Sequence, residues 1–592
     1  MTETKPDLVF ESSWEVCNKV GGIHTVITSK APLMDENYKR YFLIGPYFDE
    51  KAKRDFSASK IPDGWGDVFK KLEEKGIKAY FGKWEIKGEP KVILIDYKNL
   101  IDKRNEMKKK LWENFKIDTL FSKMEFDEPM VWSYCVSELL SLIEQKEKNN
   151  KIVGHFHEWM AGLTSLFLKI KKSNIKTVFT THATMLGRTL AGSGFDLYNN
   201  LQNIDPEKEA RQRGLIEKFT TEKACANESD VFTTISEITK KEAKHFLGKD
   251  ADILLPNGLD MERFPTMEEN SIKHITCRKI LREFISYYFF PYNTFQLDHN
   301  LIYYFLGRNE FKNKGADITI KALGKLNDQL KKDKSKRTVT FFFWIPLENK
   351  GIKSEIRENK DYYYHIKRNV ETNSEDILKR IIYDFVSQRD FGNESLFTKD
   401  FLMGIKKDII AFKRKGNPPL CTHIIENEDN NEIIKLLREV GLDNKEDDKV
   451  KVILNPVYLN GNDGLFDLEY YDAMAGCHLG LFPSYYEPWG YTPLESISMS
   501  VPAVTSDLAG FGKFIEDKAS GKTPGIYVLK REKKEEKDMI MELFKIMYKY
   551  AIISHPERVD NKMNAKKVSM LADWNEMVKY YFAAHALAVK KR

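Results

Sequence analysis

The chain has few cysteines and almost no bias of charge. Its six cysteines are scattered over 592 residues without a C-x-x-C spacing, so neither a disulfide framework nor a cysteine zinc site is indicated. Reduced thiols, as in the cytosol, are the simpler interpretation. Lysine and arginine (94) nearly balance aspartate and glutamate (88), and a net charge of +6 over this length gives no argument for nucleic-acid binding.

Long apolar runs and targeting segments are missing from the sequence as well. No stretch of 18 consecutive apolar residues occurs, and the first residues lack a basic segment followed by an apolar one. We therefore expect a cytoplasmic protein that is neither exported nor anchored to a membrane.

Short apolar runs alternate with helical segments in two successive halves of the chain. The runs lie at residues 40–46, 92–97, 151–156, 176–181, 231–236 and 253–256, and then at 301–306, 338–346, 450–455, 477–482, 502–506 and 525–529. Such alternation is typical of parallel sheets covered by helices on both faces. The sequence predicts an α/β protein with two doubly wound, Rossmann-like domains that face a central cleft.

The turn Pro256-Asn257-Gly258 is a natural joint between the halves. We predict a first domain at 1–258 and a second at 259–570. The polar segment at 349–446 is too long for a plain loop and is predicted to be a helical insertion. Residues 571–592 form a last helix, whose apolar stripe is more typical of a core than of a site.

The stretch at 483–495, PSYYEPWGYTPLE, follows a predicted buried strand and leads into a helical pattern. Thr492 suits the N-cap, Pro493 the first helical position and Glu495 the third, which is the spacing of a capping box. The sequence therefore predicts a strand-to-helix turn in which Glu495 has at least a capping role.

The same stretch has the residues of a sugar-phosphate site. Backbone amides of Gly490, Tyr491 and Thr492 at a helix start are suited to a phosphate. Glu487 lies between an aromatic pair and Pro488-Trp489, a flat apolar surface of the kind that packs against a sugar. The alternative is that Glu487 is an ordinary loop acid.

Near the N-terminus, Lys19, Gly21 and Gly22 precede a helical run. Glycines at a helix N-terminus let amides meet a phosphate, and a neighbouring cation adds charge. Two glycines also make ordinary turns, so the pattern alone is weak.

Two predicted strands of the first half end in polar residues. His157 and Glu158 follow the strand at 151–156, whereas His182 and then Arg188 follow the next one. Ligands of doubly wound sheets bind at the carboxyl ends of strands. A histidine there is more often structural than catalytic, but the arginine has no obvious packing role.

Arg308 and Lys314 share the loop after the predicted strand at 301–306. Two cations are suited to a leaving diphosphate, which gathers negative charge; a solvated basic turn is the alternative. The only D-x-D sequence, Asp250-Ala251-Asp252, precedes its strand instead of following it. We therefore predict no metal and no other cofactor.

The E-x7-E pattern of Glu487 and Glu495 within YYEPWGYTPLE resembles the signature of the eukaryotic-type glycogen synthases, which are retaining glucosyltransferases with two Rossmann domains. The resemblance covers nearly the whole chain and is weakest at 349–446. Further matching segments are Phe10-Glu11, Lys19-Val20-Gly21-Gly22, Gly154-His155-Phe156-His157-Glu158-Trp159, Thr180-Thr181-His182-Ala183-Thr184, Asp230-Val231-Phe232-Thr233-Thr234, Leu255-Pro256-Asn257-Gly258-Leu259, Lys312-Asn313-Lys314-Gly315-Ala316-Asp317 and Gly476-Cys477-His478-Leu479-Gly480.

The resemblance implies a metal-independent transfer of glucose from UDP-glucose to the 4-hydroxyl at the non-reducing end of an α-1,4-glucan such as glycogen. It also implies a homo-tetramer built by long helices, a last helix that returns to the first domain, and a glycogenin-like primer protein as a possible partner. Neither nucleic acid nor a membrane is implied.

The resemblance further assigns roles to single residues. It places Glu487 at the reacting sugar, Glu495 on donor hydroxyls, and Arg308 with Lys314 on the diphosphate in place of a metal. The remaining roles are Arg188 at the active site, His182 against the glucosyl unit, His157 and Glu158 along the sugar or acceptor site, Tyr470 stacked on uracil or in the core, and Lys19, Gly21, Gly22, Trp489, Gly490, Tyr491 and Thr492 around the donor.

Two rivals stay open at this point. One is a related glycosyltransferase that uses ADP-glucose or builds another glucan. The other is a catalytically silent scaffold that binds glycogen and assembles partners through residues 349–446. The joint presence of the cations and the acids argues against a scaffold.

One segment departs from the family. Family members respond to glucose 6-phosphate through an arginine-rich helix, whereas residues 554–567 here supply Arg558, Lys562, Lys566 and Lys567. Lysine does not reproduce the bidentate guanidinium contact. The sequence given also ends without a serine-rich tail. We therefore expect activity that glucose 6-phosphate stimulates little, although the four cations could still form a weaker pocket.

Overall fold

The computed structural model describes residues 5–389 and 392–591. Two main sheets, each covered by helices, confirm the predicted α/β class with Rossmann-like domains. The first sheet contains β1 (Leu8–Ser12), β2 (Tyr41–Pro46), β3 (Phe56–Ala58), β4 (Lys78–Trp84), β5 (Lys91–Asp96), β6 (Ile152–His157), β7 (Lys176–Thr181), β8 (Val231–Thr234) and β9 (Ile253–Leu254).

The first sheet has the order β3-β4-β5-β2-β1-β6-β7-β8-β9. It is parallel from β5 to β9, and β3 and β4 extend one edge as antiparallel strands. Strand β1 is the switch point, because the chain proceeds from it to β2 on one side and reaches β6 on the other. Ligands of doubly wound sheets bind beside the carboxyl end of such a strand.

The second sheet is parallel throughout, with the order β14-β11-β10-β15-β16-β17. Its switch point is β10, which lies between β11 and β15. The strands of the second half are β10 (Asn300–Leu306), β11 (Thr338–Trp344), β12 (Asn349–Ile352), β13 (His423–Ile425), β14 (Val450–Asn455), β15 (Leu479–Leu481), β16 (Ala503–Ser506) and β17 (Ile526–Leu529).

Helices cover both sheets. Up to the joint between the halves they are α1 (Gly22–Asn37), α2 (Asp49–Asp55), α3 (Gly66–Glu74), α4 (Arg104–Phe115), α5 (Met124–Lys146), α6 (Glu158–Ile170), α7 (Met185–Gly192), α8 (Leu197–Asn200), α9 (Pro206–Gln212), α10 (Ile216–Glu228) and α11 (Glu237–Phe246). Within the described ranges, no helix has an apolar stretch of the length that a bilayer requires.

The helices of the second half are α12 (Met267–Phe289), α13 (Ala316–Lys332), α14 (Ser354–Thr372), α15 (Ser374–Val386), α16 (Asn393–Leu396), α17 (Lys399–Phe412), α18 (Glu432–Glu439), α19 (Tyr470–Ala475), α20 (Tyr491–Ser498), α21 (Gly510–Ile515), α22 (Glu536–Ile552), α23 (His555–Ser569) and α24 (Trp574–Lys590). Between β11 and β14 the chain forms the antiparallel pair β12–β13 and the helices α14 to α18.

Helix α24 packs against the first sheet although it ends the chain. Its residues Trp574 and Tyr581 are buried in the same apolar cluster as Val9 and Val153 of the sheet. At its start, the Trp574 amide donates to the Leu259 carbonyl at 3.1 Å. The apolar stripe seen in the sequence therefore serves packing, and it ties the end of the chain to the sheet that carries half of the site.

Candidate active site

The centre of the candidate site is an ion pair between Lys314 and Glu487. Strands β10 and β15 are parallel neighbours, with Tyr303 opposite Leu479, so the loops that follow them meet at the same edge of the sheet. Only 17% of the Lys314 side chain and 24% of the Glu487 side chain are exposed. The topology thus places a cation and a carboxylate together at the switch point of the second sheet.

Backbone contacts fix the loop that carries Glu487. The Gly510 amide donates to the Glu487 carbonyl at 3.0 Å, and the Phe511 amide donates to the Trp489 carbonyl at 2.7 Å. Gly490 has a φ of +106°, and a Cβ there would lie 3.2 Å from Glu487 Cγ. The acid is therefore positioned by its backbone as well as by Lys314.

The same loop contacts the first domain through two tyrosines. The Tyr485 hydroxyl donates to Asp196 Oδ1 at 2.6 Å and accepts from the Tyr198 amide at 3.2 Å. Tyr486 is buried among the apolar side chains of the first domain and stacks against Tyr198. These contacts hold the two domains together beside Glu487.

The predicted capping box is not formed. Helix α20 starts at Tyr491 after Gly490 in the left-handed region, and no side chain caps it. Thr492 is thus inside the helix, because the glycine ends the turn two residues earlier than we predicted. The Glu495 carboxylate accepts instead from the hydroxyls of Tyr470-Tyr471, at 2.7 and 3.0 Å. Burial raises the pKa of Glu495, and the two hydroxyls oppose that shift.

Several buried polar atoms of this region have no hydrogen-bond partner in the described part of the chain. Three of them are Trp489 Nε1, Tyr491 Oη and Thr505 Oγ1, and a fourth is Tyr486 Oη. Thr505 lines a small pocket together with Lys314, Glu487 and Thr492. Unpaired buried donors are costly, so their presence beside an acid and a cation is consistent with a polar ligand.

Arg308 does not reach the ion pair in this structure. Its side chain is 80% exposed and pairs with Glu310 at 2.8 Å. A contact between Arg308 and a diphosphate beside Lys314 would require the guanidinium to turn from Glu310 toward the cleft. Since the side chain is long and exposed, little packing opposes that rotation.

In the first domain, His157, Glu158 and His182 come together at the ends of β6 and β7. His157 Nδ1 lies 2.9 Å from His182 Nε2, and the His182 amide donates to Glu158 Oε1 at 2.8 Å. Arg188, on α7, is exposed, and its guanidinium has no hydrogen bond or ion pair among residues 5–389 and 392–591. The Arg188 guanidinium is therefore a cation without a partner in the described part of the protein, and its charge acts on His182.

The amides at the start of α1 already have a carboxylate partner. Glu15 Oε2 accepts from the amides of Gly21 at 2.7 Å and His24 at 2.9 Å, while Lys19 and Gly22 are exposed. A phosphate that used the Gly21 amide would therefore have to displace Glu15. Glu15 was not predicted from the sequence, because nothing in its spacing shows that it folds back onto the helix.

Three carboxylates, which we call the buried acidic cluster, lie beneath the turn that precedes α7. Glu158 accepts from the His182 amide, Glu222 accepts from the Met185 amide at 3.0 Å, and Glu242 accepts from the Thr184 hydroxyl at 2.6 Å. Sequence reasoning missed Glu222 and Glu242, since they come from helices remote in the chain. Together the three acids fix the turn that carries His182 and leads to Arg188.

The buried acidic cluster gives the fold a pH dependence. Burial raises the pKa of Glu158 to about 7, opposed by Arg188, and raises that of Glu242 to about 7, opposed by Thr184 and Tyr198. Because the folded-state pKa exceeds the ordinary value of 4.5, the folded protein binds these protons more tightly than the unfolded chain. The contribution of these groups to the stability of the fold is therefore fully present below a pH of 4.5. It is lost as the pH rises through about 7.

We expect Glu242→Gln to gain stability relative to the wild type as the pH rises. The neutral amide avoids the burial of a charge. The free energy of unfolding gained in this way is up to about 1.4 kcal/mol for each pH unit between 4.5 and about 7. Melting temperatures of both proteins at about pH 5.5 and about pH 8 test this, with Glu113→Gln on the exposed face of α4 as the control. An equal difference at both pH values would contradict the assignment.

Glu11, His155 and His157 have ligand atoms close enough together to hold a metal ion. Those atoms are already used within the protein. Glu11 accepts from Lys30 and His157, and His155 Nδ1 lies 3.0 Å from His585 Nε2. The Lys30 ammonium supplies the positive charge that an ion would bring. The contacts therefore describe a hydrogen-bonded network and give no support for a metal site.

A family model described as glycogen synthase matches residues 11–592. The chain belongs to the glycogen synthase family. It is 36% identical to glycogen [starch] synthase of Dictyostelium discoideum, over 99% of this chain and 67% of that protein. It is 35% identical to isoform 2 of Saccharomyces cerevisiae and 33% identical to the human liver protein, over 99% of this chain and 86% and 84% of those proteins.

Solved structures agree on the fold of this glycogen synthase family member. The catalytic domain of starch synthase IV from Arabidopsis thaliana superimposes with a TM-score of 0.51 and 13% identity, over 99% of this chain and 100% of that one. At that identity the similarity concerns the fold alone. It is the two-domain GT-B fold of glycosyltransferases, in agreement with the fold predicted from sequence.

The segment that departs from the glycogen synthase pattern forms α23. Arg558 and Lys562 face Arg278 of α12. Burial, together with the charges of Arg278 and Arg558, lowers the pKa of Lys562 to about 7. Lys566 lies elsewhere, since it donates to a carbonyl of α20 at 2.9 Å, and Lys567 is exposed. Arg278 was not predicted from the sequence, because it belongs to a helix far away in the chain.

Proposed function

We propose that this member of the glycogen synthase family transfers glucose from UDP-glucose to the 4-hydroxyl at the non-reducing end of an α-1,4-glucan, with retention of configuration and without a metal. The observation that carries the proposal is the Lys314–Glu487 ion pair at the switch point of the second sheet. Arg188 and His182 stand on the first domain, whose contacts with Tyr485 adjoin this pair.

The ion pair suits a reaction that separates charge. As the bond to the diphosphate breaks, the sugar becomes oxocarbenium-like and the leaving group becomes more negative. Glu487 would stabilise the sugar, whereas Lys314, helped by Arg308, would neutralise the diphosphate. Before the donor binds, the same ammonium keeps the acid in place.

A direct test is incubation of the purified protein with labelled UDP-glucose and glycogen. Label in the polymer is expected, and unlabelled ADP-glucose in excess should compete only weakly. Preferential use of ADP-glucose would favour the related glycosyltransferase. Retention of glycogen without any transfer would favour the silent scaffold.

The acid is tested by Glu487→Gln. Size is kept and the charge is lost, so donor binding should survive while transfer falls by orders of magnitude. Binding is measured by calorimetry with UDP-glucose and transfer by incorporation of label, with Glu113→Gln as the matched control. Turnover comparable to that of the wild type would refute the role of Glu487.

The cations are tested by Arg308→Ala and Lys314→Ala. Each should lower transfer about 10²-fold or more, the loss typical of removing one donor that stabilises transition-state charge. Lys312→Ala is the matched control, because this lysine lies exposed on the same loop. Excess chelator should change nothing, and a requirement for Mg²⁺ or Mn²⁺ would contradict the metal-free mechanism.

The assembly we propose is a cytoplasmic homo-tetramer, with a glycogenin-like primer protein as a partner. Helices α15 and α17 support self-association, since they expose large apolar side chains such as Leu378, Ile382, Val386 and Ile410. Exposed apolar faces of this kind are typical of association surfaces. The molecular mass in solution would show the number of chains.

Control by glucose 6-phosphate is expected to be weak. The cations near Arg558 include Lys562, which offers a phosphate a point charge in place of the bidentate guanidinium contact of the family. Arg278 supplies a further cation. We expect activity at low UDP-glucose to change little when millimolar glucose 6-phosphate is added. A large activation that Arg558→Ala abolishes would show that the pocket works in altered form.

A further inference from the structure

A chain of hydrogen bonds runs from the interior of the first domain to His182. The fully buried Glu11 carboxylate accepts from Lys30, from the Tyr41 hydroxyl at 2.5 Å and from His157 Nε2 at 2.5 Å. On its other side, His157 Nδ1 lies 2.9 Å from His182 Nε2. We call Lys30, Glu11, His157 and His182 the His182 network.

The position of each proton follows from the charge of Glu11. Burial alone would raise the pKa of Glu11, but Lys30 and His157 hold it well below its ordinary value, so the group is a carboxylate. An ionised carboxylate only accepts hydrogen bonds. His157 Nε2 must therefore carry the hydrogen that it shares with Glu11.

The two histidines are neutral. Burial lowers the pKa of His157 against the opposing effect of Glu11, and burial with His157 and Lys30 lowers that of His182. A neutral imidazole has one donor and one acceptor nitrogen. Because Nε2 of His157 donates, its Nδ1 accepts, and His182 Nε2 must donate to it. His182 Nδ1 is then left as an acceptor.

The rings cannot easily turn away from this arrangement. His155 stacks on His157 with ring centroids 4.4 Å apart. His155 Nδ1 is in turn hydrogen-bonded to Nε2 of His585, on α24, at 3.0 Å. The Lys30 ammonium lies 4.6 Å from the Tyr581 ring of the same helix. The last helix thus closes the network from behind and shields it from water.

His182 Nδ1 has no hydrogen-bond partner in the described parts of the chain, and the residue lies at the carboxyl end of β7 beside the turn to Arg188. We propose that Glu11, Lys30 and His157 are positioning residues that fix the tautomer of His182, so that its Nδ1 accepts a hydrogen bond from a hydroxyl of the donor sugar. The inference rests on the proposed function, since it requires a sugar donor in the cleft.

Two substitutions of His157 separate the links of the network. In His157→Asn the amide oxygen occupies the position of Nδ1, so the acceptor for His182 is kept and the link to Glu11 is lost. In His157→Gln the amide nitrogen occupies the position of Nε2, so the link to Glu11 is kept and the acceptor is lost. His423→Gln, at another buried histidine, is the control.

The readout is the affinity for UDP-glucose relative to its monodeoxyfluoro analogues, measured by calorimetry. Fluorine accepts but cannot donate, so the wild type should bind one analogue more weakly than UDP-glucose. His157→Gln should reduce that preference about tenfold, the ratio equivalent to one neutral hydrogen bond. His157→Asn and His423→Gln should keep it.

A further variant addresses Glu11 and Lys30. Removing one charge would leave its partner buried and unpaired, so Glu11→Gln and Lys30→Met are combined to remove both. If the folded double variant loses the preference, the carboxylate sets the tautomer. A preference that is equal in all variants, or a wild type that binds every analogue as well as UDP-glucose, would overturn the inference. Failure of the wild type to bind UDP-glucose at all would instead refute the proposed function.

Discussion

The contact between Lys314 and Glu487 joins two loops that are 173 residues apart in the chain. It exists because β10 and β15 are neighbours in a parallel sheet, which brings the loops after them to one edge. The glycine at position 490 and the backbone bonds of the Glu487 loop hold the acid in the same place. The chemistry that we propose depends on this placement.

The first domain supplies a complementary surface and stabilises it with buried charge. The buried acidic cluster binds the turn before α7, and the Glu11–Lys30 pair orders the histidines beside it. Buried charges are costly unless they are paired and hydrogen-bonded, so a fold that keeps them gains a fixed geometry at the expense of stability. Helix α24 is part of that geometry, since its side chains cover the pair.

Much of the fold could be predicted from the sequence, because parallel strands buried on both faces are continuous apolar runs. The runs at 151–156 and 176–181 correspond to β6 and β7. Strands β1, β3 and β4 were not predicted: β1 has only five residues, β3 has three at the sheet edge, and β4 alternates weakly between buried and exposed positions. Likewise, the predicted helix start at Thr492 was wrong, because the left-handed Gly490 begins α20 earlier.

The site was predictable only in part. Motifs at strand ends indicated Glu487, Lys314, His157 and His182, but not all of the charged residues around the site. Glu242 beneath α7 and Arg278 beside α23 come from elements remote in the chain, so long-range packing decides their contacts. Glu15 is close in sequence to the start of α1, but its spacing does not show that the side chain folds back onto the helix.

We propose that a carboxylate beside the sugar and cations at its diphosphate support a transfer that retains the configuration of glucose. Proton NMR of a glucan elongated from isotope-labelled UDP-glucose tests it most directly. The labelled anomeric protons should have the chemical shift and small coupling of an α-1,4 linkage. Labelled β linkages in the product would contradict it.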